Sequence, residues 1–196
     1  MDNLNGGNSK KNILLITPML HQGGFERVCL TTARLLSKCY HVTVAVFSLE
    51  DLAFDITGLD VIDLQLKARE GFAGKLLNVC KRVRKLKRLK KEKHIDVSYS
   101  FGATANLANV LSRMNDQIWT GVRGFAALGN RRLMQFVCNK SDKVVCCSKA
   151  MASEMSKKYY AKEIVTLWNP CDIDQIQSQA AAMILSLKIS LIRKIR

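Results

Sequence analysis

The sequence predicts an α/β fold, an open and mostly parallel sheet of Rossmann type flanked by helices. Three observations carry that reading. Ile13 to Ile16 is an unbroken apolar run, the pattern of a strand covered on both faces. His41 to Phe47, β-branched and apolar, repeats the pattern after an amphipathic stretch of helix length, which makes one βαβ unit. Short apolar runs and helical stretches then alternate as far as Trp168, with no internal repeat.

Taken in order, the first strand ends at Pro18, which lacks the amide a ladder requires. Gly23 and Gly24 follow. Without Cβ atoms, their amides can approach a ligand closely and take positive φ if needed. A helix beginning at about Phe25 aims unpaired N–H groups and its positive dipole end at the same place, which favours an anion such as a phosphate. A tight turn that binds nothing is the other reading, because the pattern is neither GxGxxG nor a P-loop. Val28, Leu30, Ala33, Leu35 and Leu36 carry the helix towards Lys38 to Tyr40, and the second strand is His41 to Phe47. Leu59 to Leu66 partly alternates and predicts a third, more exposed strand.

Gly74 to Lys93 predicts a helix in which Leu76, Val79, Cys80, Val83 and Leu86 recur at helical spacing and face the core. Ten basic residues fill the remainder against one Glu. A solvated face is the ordinary explanation of a charge run, yet like charges at i,i+4 weaken a helix slightly. Lys81, Arg82, Arg84, Lys85, Lys87 and Arg88 are therefore candidates for a face that meets anionic lipid headgroups. Nucleic acid fits the charge but not the sparse aromatics, and no RNP, KH or zinc-finger signature accompanies the run.

His94 to Ser100 is the fourth strand and Ala103 to Arg113 a helix, with Gly102 at the junction. Gln117 to Val122 is a strand ending in Arg123-Gly124, and Leu133 to Cys138 is helical. Lys143 to Cys147 is a strand followed by Ser148, Ala150 to Tyr159 a helix, and Ile164 to Trp168 a last strand running into Asn169-Pro170. In such sheets ligands sit beyond the carboxyl ends of the strands. The turns at Gly23-Gly24, Gly102, Arg123-Gly124, Ser148 and Asn169 all belong there.

The totals agree with one ordinary domain. At 196 residues the chain can bury a real core, and 48% hydrophobic residues with 2 prolines argue against disorder. Lys plus Arg number 31 against 16 acidic residues, a net +15 that favours an anionic partner: nucleic acid, a membrane surface or phosphorylated substrates. The 7 cysteines are odd in number and lack a Cys-x-x-Cys, which points to buried free thiols in a reducing cytosol. Cys146 and Cys147 are assigned to the core, and His21, His41 and His94 are scattered, so no metal site can be assembled and no cofactor is expected. Residues 1–11 read as a flexible leader without a signal-peptide core, and no run approaches the roughly 20 apolar residues that span a bilayer.

Four stretches carry a resemblance. Gly23-Gly24-Phe25-Glu26-Arg27-Val28 resembles the Gly-Gly-x-Glu-Arg-Val signature in the amino-terminal domain of glycosyltransferase family 4, retaining enzymes of GT-B fold. His41-Val42-Thr43-Val44 is similar to that family's second strand, and Ser141-Asp142-Lys143-Val144-Val145-Cys146-Cys147-Ser148 to its Ala-Asp-x-(apolar)-(apolar)-x-x-Ser strand. Val165-Thr166-Leu167-Trp168-Asn169-Pro170-Cys171-Asp172 resembles the element that precedes the interdomain hinge.

The resemblance implies transfer of a sugar from a nucleotide-sugar donor to a glycan or lipid-linked acceptor. It makes residues 12–174 the acceptor-side half and sets Gly23 and Gly24 against the donor diphosphate. Arg123, in Val122-Arg123-Gly124, is similar to an arginine-bearing loop of members that act on phosphate-bearing acceptors; a surface or structural arginine is the alternative. Arg27 is expected in a helix-surface ion pair. The basic helix suits a cytoplasmic protein held peripherally on the inner face of the membrane. The family's second domain, with its Glu-x₇-Glu element, does not follow, and residues 175–196 read as a truncated linker or aberrant tail in which Leu185, Leu187, Ile189 and Leu191 alternate. A truncated, frameshifted or split enzyme, the last completed by a second chain, would each explain this, and the resemblance leaves the catalytic residue unassigned. The other functional reading is a non-enzymatic basic α/β module that binds anionic membrane or phosphorylated precursors.

Overall fold

The structure, a computed structural model, describes residues 10–67, 71–124, 130–171, and 173, 176, 177, 180 and 183. Most of the leader and the alternating leucines and isoleucine of the tail lie outside the described residues.

Among the described residues seven strands form one all-parallel sheet in the order β3-β2-β1-β4-β5-β6-β7. They are β1 (Asn12–Thr17), β2 (His41–Val46), β3 (Asp60–Asp63), β4 (Val97–Phe101), β5 (Gln117–Val122), β6 (Lys143–Cys146) and β7 (Ile164–Thr166). The helices are α1 (Gly24–Leu36), α2 (Phe72–Glu92), α3 (Ala103–Leu111), α4 (Arg131–Lys140) and α5 (Lys149–Lys158). Every strand expected from the sequence is present.

Period-two alternation splits the central strands between two cores. Ile13 and Leu15 of β1, with Val42, Val44 and Val46 of β2 and Tyr99 and Phe101 of β4, pack against Val28, Cys29, Leu30 and Ala33 of α1. Leu14, Ile16, Ala45 and Phe47 face the other way, onto Leu86 and Leu89 of α2 and Ala105 and Ala108 of α3. Leu14, Leu15 and Ile16 have no exposed surface, as a strand covered on both faces requires.

β3 is shorter than expected because Asp63 Oδ1 accepts from Gln65 N–H at 2.8 Å while Gln65 takes φ 53°, kinking the chain out of the strand. Leu64 and Leu66 keep bonding to Val46 and Phe47 carbonyls beyond the kink.

The inward stripe of α2 differs from the expected one. Leu86 is buried as expected, but Leu76 is 57% exposed and Cys80 is exposed, whereas Asn78, Leu89 and Lys90 are buried. Polar partners set this rotation. Asn78 Nδ2 donates to Lys67 O at 2.7 Å, and Lys90 Nζ reaches Asp116 Oδ2 at 2.9 Å and Asn109 Oδ1 at 2.8 Å. Ser98 Oγ lies 2.5 Å from Asp116 Oδ2 and 2.7 Å from Asn109 Oδ1, so α2, α3 and β4 share one buried network with Asp116.

Candidate functional site

The strand order reverses between β1 and β4, and the crevice of an open α/β sheet opens beyond the carboxyl ends at such a switch point. Here the loop after β1 meets the loop after β4. Gly102 takes φ 92°, a left-handed value that favours glycine, and a Cβ on it would touch the Pro18 ring at 3.9 Å.

Gly23 is the N-cap of α1 with φ −142° and ψ 161°, so the turn demands no positive φ. Space explains its identity instead. A Cβ on Gly23 would lie 2.0 Å from Glu26 Oε2, because the Glu26 carboxylate bends back over the turn. Glu26 is only 3% exposed, and its Oε2 has no hydrogen-bond partner among the described residues. Above Gly24 the space is open.

Arg123 stands just past β5. Its guanidinium lies 5.1 Å from the Phe101 ring centroid and 5.9 Å from that of Tyr99. Nη2 donates to Tyr99 Oη at 2.5 Å, Nη1 donates to Asn169 Oδ1, and the buried Nε has no partner among the described residues. No carboxylate pairs with it among the described residues. Burial pushes the Tyr99 phenol up to about 12, against the pull of Arg123, so its hydroxyl remains neutral and accepts from the guanidinium. The structure thus joins Arg123 to Asn169, which leaves the sheet after β7, two elements that the sequence placed on the same rim but not in contact. Cys147, expected in the core, is only partly buried at the end of β6, with its thiol 3.9 Å from Arg123 O. Ser148 Oγ caps α5 by accepting from Met151 N–H at 3.2 Å.

The basic helix divides. Lys81, Arg84, Lys85, Lys87 and Arg88 are exposed. Lys85 Nζ donates to Leu64 O, and Arg88 pairs with Glu92 at 2.7 Å. Arg82 turns inward and covers the Phe47 ring at 4.4 Å, so it does not belong to the outward face. Arg27 is exposed and makes no ion pair among the described residues, contrary to expectation. Glu26 and Tyr99 were missed by sequence reasoning. Glu26 stood in a motif only as a letter, and Tyr99 read as one more strand residue.

At the opposite, amino end of the sheet a shallow depression of about 330 Å³ is lined by Asn12, His41, Thr43, Asp60 and Lys93. Lys93 is paired there with Asp60 at 3.0 Å, so its charge is already met by a carboxylate. Among the described residues no three His, Cys, Asp or Glu side chains are disposed to hold a metal, and no helix is long and apolar enough to cross a membrane.

A family model described as Glycosyltransferase Family 4 matches residues 22–175. No curated protein matches the sequence. Among solved structures, a chain of sucrose-phosphate synthase from Thermosynechococcus elongatus superposes with TM-score 0.62 at 14% identity, covering 90% of this chain and 99% of that one. HepE from Anabaena, in complex with UDP and glucose, gives TM-score 0.62 at 16% identity over 83% of this chain and 45% of its own. The lipopolysaccharide outer core galactosyltransferase WaaB, in its apo form, gives 0.59 at 16% over 83% of this chain and 46% of its own. The chain spans just under half the length of these last two. The parallel sheet, its switch point and the match over most of the chain agree: the protein belongs to glycosyltransferase family 4 and has the architecture of one GT-B half.

Proposed function

We propose that the chain is the acceptor-side half of a retaining, nucleotide-sugar-dependent glycosyltransferase that passes a sugar to a glycan or lipid-linked acceptor carrying an anionic group. The observation that carries this is the Arg123 guanidinium: held by neutral partners, stacked on two rings and free of any carboxylate among the described residues. A cation so placed at the carboxyl rim is set to receive a phosphate or carboxylate through its forked donors. The Gly23-Gly24 turn faces the donor diphosphate across a cleft whose other wall is a second α/β domain, on this chain's continuation or on a partner chain. HepE, solved with UDP and glucose, and WaaB, named for lipopolysaccharide, support a nucleotide-sugar donor and a lipid-linked acceptor.

The test is transfer from a panel of nucleotide sugars to matched neutral and phosphate-bearing acceptors, with a donor-binding domain supplied. Arg123→Ala is expected to lower transfer to the phosphate-bearing acceptor about tenfold to a hundredfold, the worth of a charge-assisted contact, and to spare the neutral one. Equal loss on both would remove the anionic-acceptor assignment. Robust turnover by this chain alone would remove the assignment of an acceptor half.

The exposed basic face of α2 favours a further feature of the same reading, peripheral attachment to an anionic membrane on its cytoplasmic side. Lys81, Arg84, Lys85, Lys87 and Arg88 lie outward, with Leu76 and Leu77 more than half exposed at the start of the helix.

A further inference from the structure

The positive end of α1 is already occupied by a negative group of the same helix. Glu26 stands at the third helical position, and a Cβ on Gly23 would lie 2.0 Å from its Oε2, 2.6 Å from Cδ and 2.8 Å from Oε1. The carboxylate therefore fills the volume from which the side chain of an N-cap Ser or Asp reaches the first-turn amides. Gly23 has no side chain to put there, and no side-chain cap bond forms. Glu26 is 3% exposed, and Oε2 has no hydrogen-bond partner among the described residues. A buried carboxylate oxygen without a donor is costly. The partial positive charge of the helix end offsets that cost, but the charge is about half a unit and cannot be shared without loss between two anions.

We infer that Glu26 is a specificity-determining residue of the Gly23-Gly24 turn: a built-in anion that a ligand must displace. The turn then admits a diphosphate, whose multiple charges and acceptor oxygens outcompete one carboxylate, and refuses singly charged anions. The inference rests on the reading of this turn as the one that meets the donor diphosphate. The geometry allows the exchange. Gly24 has open space beside it, so the incoming group meets bare backbone. The atoms of Glu26 that crowd Gly23 are the far end of a flexible side chain, the part that yields most cheaply.

The test follows the backbone amides of Gly24 and Phe25 by nitrogen-15 NMR while the full chain is titrated with inorganic pyrophosphate or with acetate. Reading those amides excludes anions that settle on α2. Glu26→Gln keeps the size and removes the charge. Gly23→Ala, whose extended φ of −142° suits any residue, drives the carboxylate away with its Cβ. Both variants are expected to bind pyrophosphate about threefold to thirtyfold more tightly than the wild type, the range a charge at a helix end is worth, and the double variant no more tightly than either. Acetate is expected to move these amides in Glu26→Gln and not in the wild type. Equal or weaker pyrophosphate binding by Glu26→Gln overturns the inference and leaves the diphosphate reading standing. Absence of pyrophosphate shifts in every form overturns both. Should Gly23→Ala fail to fold, the near-isosteric Glu26→Gln decides alone.

Discussion

Lys90 Nζ and Asp116 Oδ2 face each other across 2.9 Å with both side chains 1% exposed, a complete ion pair inside a small domain. Such a pair contributes little net stability compared with apolar residues, but removing one member strands the other. Lys90→Met is therefore expected to lower the unfolding free energy by about 3–5 kcal/mol, and Lys90→Met with Asp116→Leu to recover most of it. Urea denaturation of the wild type, the single variant and the double variant checks the cycle. A single variant as stable as the wild type would contradict it.

The same lysine links stability to pH. Burial lowers Lys90 from 10.5 to about 8, although Asp116 pulls the other way. Between these values the unfolded chain binds a proton that the folded chain does not, so the Lys90 contribution rises with pH across that window. Buried Cys138 and Cys146 oppose it. Desolvation raises their thiols from 9.0 to about 11, so the folded chain keeps protons that the unfolded chain loses, and stability falls as pH rises between those values. The difference between wild type and Lys90→Met isolates the first effect: it should shift in favour of the wild type from about pH 8 upward. A difference flat across that range would refute the linkage.

Gly121 is a packing glycine. A Cβ there would sit 2.9 Å from the carbonyl oxygen of Ser100 and 3.4 Å from the Tyr99 ring, and the first of these is backbone of the neighbouring strand. Gly121→Ala is expected to cost about 1–3 kcal/mol, as overpacking does. Because Tyr99 holds Arg123, it should also weaken the anion binding proposed for that arginine. Denaturation and an anion titration of the same variant test both halves of this expectation.

Thiol accessibility separates two classes of cysteine. Cys39, Cys80 and Cys171 are exposed and Cys147 partly so, while Cys29, Cys138 and Cys146 are buried with thiols shifted upward by desolvation. Brief alkylation of the native protein at neutral pH, read by peptide mass spectrometry, should modify the first group and spare the second until denaturant is added. Early labelling of Cys29 would mean that α1 does not cover the sheet as described.

Two faces of α2 can be told apart by substitution. Changing Lys81, Arg84 and Lys87 to Glu should abolish binding to vesicles of phosphatidylcholine and phosphatidylglycerol and leave the melting temperature nearly unchanged. Arg82→Ala should do the reverse, costing about 0.5–2 kcal/mol through its lost contact with Phe47 and leaving the vesicles bound. Vesicle co-sedimentation with a thermal melt gives both readings.

The sequence carried the fold well because its strands are buried on both faces. Ile13 to Ile16 and His41 to Phe47 declare themselves without alternation, and the turns between strand and helix are marked by Gly, Pro and Ser. It misjudged α2 because periodicity counts apolar letters, whereas the helix buries Asn78 and Lys90 against specific polar partners. The site was legible only in part. Motifs placed Gly23 and Arg123 at the rim, but the fold of the Glu26 carboxylate back over Gly23 depends on a side-chain rotamer that no letter pattern records, and the contacts of Tyr99 and Asn169 with Arg123 depend on chain segments that tertiary packing brings together.

Tyr99 and Asn169 occupy two of the five N–H groups of Arg123, which leaves three, the buried Nε among them. The two in use act as a mount. They fix the plane and tilt of the guanidinium before any ligand arrives, so the entropy of aligning this donor fork has been spent during folding and does not weigh against binding. One leg of that mount, Asn169, lies three residues beyond the end of β7. The aim of Arg123 is therefore set in part by the path taken beyond β7, and whatever bends that path re-aims the arginine.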